Sequence, residues 1–80
     1  MPKKLNNKKL HKLKYWRCVL ELTQENMGVL LGYSKANYSQ KESGAIEFTL
    51  REMRIIQKEF NKRLAKMGQP LLTLDDIFLA

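Results

Sequence analysis

The stretch Gly32–Gly44, "GYSKANYSQKESG", decides how this chain reads. A glycine followed two residues later by serine opens it and a second glycine closes it, which is the punctuation of a short helix from about Ser34 to Glu42. Only Ala36 and Tyr38 in its middle are apolar, and a helix of that length is marginal alone in water. Something else in the chain must hold it. At about 100° per residue, Tyr38 and the stem of Lys41 project to one side. Lys35, Ala36, Ser39 and Gln40 project broadly to the other, and that free face is small, hydrogen-bonding and without acid.

The flanking sequence supplies the scaffold. Thr23, Ser34, Thr49 and Thr73 are each placed to cap a helix N-terminus. Each follows an apolar residue with another five positions on: Leu22 and Met27, Tyr33 and Tyr38, Phe48 and Met53, Leu72 and Ile77, the spacing of a hydrophobic staple. Thr49 has Glu52 three residues on, a full capping box, and Thr73 has Asp76. No long alternating run or Asn-Gly turn suggests strands. The expected architecture is all-α with five helices. The first runs from about Asn7 to Glu21, with Leu10, Leu13, Trp16 or Arg17, and Leu20 on one face. The second spans Gln24 to Leu31, stopping at Gly32, and the third about Ser34 to Glu42. The fourth carries Leu50, Met53, Ile56 and Gln57, Phe60, Leu64 and Met67, ending at Gly68 with Pro70 beyond. The fifth is a turn near Leu74 to Leu79. The stripe Phe60, Leu64, Met67 suits either cover for the first helix or a seam with a second copy.

Composition narrows the function classes. Apolar residues at 44 % and charged residues at 29 % fit a globular chain of one domain. One cysteine, Cys18, and one histidine, His11, exclude an internal disulfide and a Cys/His metal cluster. No nucleophile–base pair or phosphate loop suggests an enzyme, and no cofactor is expected. No run approaches a membrane span, and "MPKK" is not followed by the apolar stretch of a signal peptide. A reducing cytoplasm is the simplest setting. The net charge of +7 sits wholly in residues 1–17, which hold seven Lys and Arg and no acid. Such a segment is either an arm for a polyanion or a solvated tail. An acid-free, hydrogen-bonding helix face beside it suits the major groove of DNA, where carboxylates would meet phosphate repulsion and bulky aliphatics would bury nothing.

"LTQENMGVLLGYSKANYSQKESG" resembles the helix-turn-helix of lambda-repressor/Cro-like regulators, the xenobiotic-response-element family. Leu22-Thr23-Gln24-Glu25, Met27-Gly28, Leu31-Gly32-Tyr33-Ser34 and Glu42-Ser43-Gly44 fall at that family's spacing without a gap. Leu13, Trp16 and Arg17 in "LKYWR" match its first helix, "TLREMRIIQKEF" its fourth and "LLTLDDIF" its closing turn. Gly28 stands for the usual alanine, Tyr38 for a smaller branched residue, Lys41 for an apolar one and Phe48 for a common proline. "NKRLAKMGQP" resembles an insertion that extends the fourth helix by about two turns.

The resemblance implies a five-helix lambda-repressor-like domain over 10–80, with the helix-turn-helix at 23–42 and a basic arm at 1–9. It implies double-stranded DNA as partner, a near-palindromic operator, a homodimer, and transcriptional regulation, with repression of phage or mobile-element type. Lys35, Ala36 and Gln40 match the family's base-reading positions. Gln24 matches its phosphate-contacting glutamine, which also braces the third helix. Asn37, Ser39 and Ser43 would meet the DNA backbone, as would Lys3, Lys4, Lys8 and Lys9 of the arm. Arg17 and Glu42 match a structural ion pair joining the first helix to the end of the third. The alternative reading is an antitoxin-type module that binds a toxin as well as DNA, with the long fourth helix as partner surface. A third reading takes "KKLHKLKYW" as a membrane-surface segment, since it is basic, amphipathic and contains tryptophan.

Overall fold

The computed structural model describes residues 10–79, so the basic arm at 1–9 and Ala80 lie outside the described residues. Among these, the chain forms five α-helices and no strand: α1 His11–Val19, α2 Gln24–Leu31, α3 Lys35–Glu42, α4 Leu50–Lys66 and α5 Leu74–Phe78. The four threonine and serine caps all act. Thr23, Ser34, Thr49 and Thr73 each accept from the backbone N–H three residues on. Asn26, Glu52 and Asp76 return the bond to their caps, so α2, α4 and α5 each start with a reciprocal capping box.

The first helix is shorter than its expected span of about Asn7 to Glu21. Leu10 is its non-helical cap residue (φ −90°, ψ 79°), and the Leu10 N–H donates to the Glu42 carbonyl at 3.1 Å. That bond ties the N-terminal cap of α1 to the end of α3. At the other end Glu21 takes φ 58°, with Glu21 N–H on the Cys18 carbonyl at 3.0 Å and Leu22 N–H on the Arg17 carbonyl at 2.9 Å. This is the left-handed helix stop normally given to glycine. Gly32, Gly44 and Gly68 terminate α2, α3 and α4 with the same bond pattern. Glu21 is the exception in kind.

One core collects a buried side chain from every helix: Leu13 of α1, Met27 of α2, Tyr38 of α3, Ile56 and Phe60 of α4, and Ile77 of α5. The α2–α3 pair packs closely, α4 lies against α2 and α5, and α5 closes on α1. The α4 stripe divides, and its buried part meets α2 and α5. Phe60 and Leu64 are 0 % and 1 % exposed in this core, whereas Met67 is 54 % exposed. Trp16 packs at the core's edge, half-buried, with its ring edge-on to Tyr15. The chain after α4 is fastened by side chains. Asn61 exchanges two hydrogen bonds with the Leu72 backbone (2.8 and 3.0 Å), and Gln57 donates to the same carbonyl. Gln57 is therefore a strap for the returning segment and not a core residue.

Candidate nucleic-acid interface

The α2–turn–α3 unit is built by close approach. Gly28, buried in α2, accepts at its carbonyl from the Tyr33 N–H at 2.7 Å. A β-carbon at Gly28 would lie 2.6 Å from the Tyr33 carbonyl oxygen. Glycine is thus demanded by contact, although it costs a helix about 1 kcal/mol relative to alanine. Gly32, at φ 80°, lets the chain reverse between the two helices.

The inward face of α3 is more elaborate than one aromatic anchor. Tyr38 is fully buried, and its hydroxyl donates to Glu42 Oε2 at 2.7 Å. Glu42 then takes Arg17 in a two-pronged pair, Nε to Oε2 at 2.8 Å and Nη2 to Oε1 at 3.0 Å. Gln24 Nε2 adds a bond to Glu42 Oε1 at 3.2 Å. Arg17 also donates to the Leu22 carbonyl at 2.8 Å. One carboxylate therefore joins α1, α2 and α3. Burial alone would push the Glu42 carboxyl up, but Arg17, Tyr38 and Gln24 together hold it below the usual carboxylate range. The Glu42 bond raises the Arg17 guanidinium above its ordinary value, and burial drives the Tyr38 phenol far up.

The outward face carries Lys35, Ala36, Asn37 and Gln40, all exposed. The only acid of α3 is Glu42, which is 6 % exposed and turned inward. Ser39 is half-buried, while Ser43, just beyond the helix, is exposed and donates to the Gln40 carbonyl at 3.0 Å. Gln24, Ser39 and Ser43 line one shallow groove, and His11 and Lys14 of α1 join them. Lys14 is a rim cation that no sequence motif singles out, because only the folded chain sets α1 beside the ends of α2 and α3. Lys3, Lys4, Lys8 and Lys9 lie outside the described residues.

A second polar cluster was not expected. Lys41 occupies an inward position of α3 and is 8 % exposed. Its ammonium donates to Glu52 Oε1 of α4 at 3.0 Å and to the Glu47 carbonyl at 3.1 Å, and lies 5.1 Å from the Tyr33 ring centre. The Tyr33 hydroxyl donates to Glu52 Oε2. The available signal was a lysine at an apolar spacing and a glutamate already assigned as a capping partner.

Among the described residues no three His, Cys, Asp or Glu side chains gather as a metal-ligand set, and no helix is long and apolar enough to cross a membrane. Of the basic amphipathic run "KKLHKLKYW", Leu13 is buried in the core and Trp16 packs against it. The chain matches no protein-family model, no curated protein and no solved structure.

Proposed function

We propose that this chain is a sequence-specific DNA-binding transcriptional regulator of the lambda-repressor/Cro-like kind. The observation that carries the reading is the division of α3. Tyr38, Lys41 and Glu42 are buried, while Lys35, Ala36 and Gln40 stand in solvent with no acid among them. A helix so presented can enter the major groove. Lys35 can donate to guanine O6 and N7, Gln40 can pair with adenine N6 and N7, and the Ala36 methyl can touch a thymine methyl. Gln24, Asn37, Ser39 and Ser43 flank that face and suit phosphate contacts, which fix register without reading sequence. Gln24 meets phosphate from the α2 N-terminus, where the helix dipole favours an anion.

The mechanism is occupancy without chemistry. Two copies related by a twofold axis set their α3 helices in successive major grooves about 34–36 Å apart, on a near-palindromic operator. The arm at 1–9 supplies sequence-independent attraction to the backbone. Selection of bound fragments from random duplex DNA tests the reading. A two-half-site motif is expected, with base preference relaxing at different positions in Lys35→Ala and Gln40→Ala. If the unaltered chain enriches no motif at any salt concentration, the proposal is wrong.

The antitoxin-type reading has one observation in its favour. On α4, the apolar Leu50 and Ile55 form a surface patch edged by Arg51, Arg54 and Lys58. Co-purification with a second polypeptide that protects this patch would support it, and a homogeneous homodimer would oppose it.

A further inference from the structure

The Lys41–Glu52–Tyr33 cluster stands apart from the DNA-facing groups, and its connections are unusual. Glu52 is the third residue of α4 and closes that helix's capping box by accepting from the Thr49 N–H at 3.0 Å. The same carboxylate receives Lys41 from the last turn of α3 at 3.0 Å, and the Tyr33 hydroxyl from just before the Ser34 cap. Lys41 is enclosed as well, by the Glu47 carbonyl and by the Tyr33 and Phe48 rings at 5.1 and 5.7 Å from its ammonium.

These bonds matter because of what the backbone lacks. α3 packs closely on α2 and makes no comparable approach to α4. The link from α3 to α4, the longest helix, therefore runs through side chains and the 43–49 connection. Buried at 6 % exposure, Glu52 reaches both ends of α3. Glu42 ties α3 to α1 and α2 on the other side. Two carboxylates acting from two directions can fix both the tilt and the rotation of a short helix, which neither can do alone. A reading surface must be held to about half an ångström and 10–20° to select among partners.

We infer that Glu52 is a positioning residue: through Lys41 and Tyr33 it sets the orientation in which α3 presents Lys35, Ala36 and Gln40. The consequence for DNA rests on the proposed function above, whereas the consequence for α3 itself does not.

The test has two arms, using Lys41→Met, Glu52→Gln and the double variant Lys41→Met/Glu52→Gln. Removing one charge strands the other in a buried site. Removing both leaves a neutral pair, in which the introduced glutamine amide oxygen can still accept from the Thr49 N–H. In the free protein, amide hydrogen exchange is expected to accelerate about tenfold or more in α3 of the single variants, relative to α1 and α5. Acceleration spread evenly over all helices, or absent from α3, overturns the clamp. In the second arm the double variant recovers thermal stability but not discrimination. Its preference for a selected duplex over a scrambled one falls about tenfold, with scrambled-duplex affinity and salt slope unchanged. Recovery of stability and discrimination together makes the cluster merely structural and overturns the proposal. If the unaltered chain discriminates no duplex, the DNA reading fails and the exchange arm alone decides the clamp.

Discussion

Arg17 and Glu42 lie 25 residues apart and meet in a buried, two-pronged ion pair, with N–O distances of 2.8 and 3.0 Å. The pair welds the last turn of the first helix to the end of the third. Arg17→Met leaves the Glu42 carboxylate with only the Tyr38 and Gln24 donors. The expected loss is about 3 kcal/mol, the low end for stranding a buried charge. Urea denaturation measures it. The double variant Arg17→Met/Glu42→Gln should regain much of the loss, because no charge is left buried and the glutamine oxygen still accepts from one of those donors.

Acid should unfold the chain through its two buried carboxylates. Glu42 and Glu52 are both burdened by burial, yet their donors hold both below the ordinary 4.5. Near and below 4.5 the unfolded chain therefore binds more protons than the folded one, so stability rises with pH there. The contribution is complete above the unfolded value and is lost as pH falls from 4.5 through the folded values. Melting temperature against pH should be flat toward neutrality and drop on the acid side, less steeply in Glu42→Gln. At the alkaline end the buried Tyr38 phenol resists ionisation, so stability should fall again above about pH 10, where an exposed phenol ionises.

Gly28→Ala should destabilise despite alanine's better helix propensity. The gain of about 1 kcal/mol is set against a β-carbon 2.6 Å from a backbone oxygen. Overpacking of this sort costs about 1–3 kcal/mol, so the net expectation is a loss of about 1 kcal/mol. A variant as stable as the parent would show that the turn has room to open.

Glu21→Gly should move the other way. Glu21 is exposed, left-handed at φ 58°, and places an acid at the negative end of α1. Relief of the left-handed penalty is worth about 1 kcal/mol after the extra flexibility of glycine is counted. Thermal denaturation at near-neutral pH reads the gain, and no increase in melting temperature would contradict it.

Removing residues 1–9 deletes Lys3, Lys4, Lys8 and Lys9. If each meets a phosphate, the log–log salt slope of DNA binding shrinks by about 0.9 per lysine. The fold should survive, read as a cooperative thermal melt, since the described core begins at Leu10. An unaltered slope would make the segment a solvated tail.

The local grammar of this chain was legible residue by residue. Thr23, Ser34, Thr49 and Thr73 cap where their spacing placed them, and the α2 boundaries follow from Thr23 and Gly32. These features are set by hydrogen bonds within a few residues, and a linear reading captures such bonds. The inward Tyr38 and outward Lys35, Ala36 and Gln40 were legible for the same reason, since helical periodicity is local too.

Long-range partnerships were not legible in that way. The cap at Leu10 is tied to the distant Glu42 carbonyl, and α1 stops at Glu21 in a left-handed conformation that no glycine announces. Phe60 and Leu64 became core of this chain rather than seam for another only once α4 lay against α2 and α5. Lys41 looked like a misplaced charge until Glu52, Glu47 and two aromatic rings closed around it. Propensity and spacing determined α2 to α5 and the existence, though not the limits, of α1. That Lys41 meets Glu52 was decided only by tertiary structure, because the cost of burying a charge depends on the partner that packing brings to it.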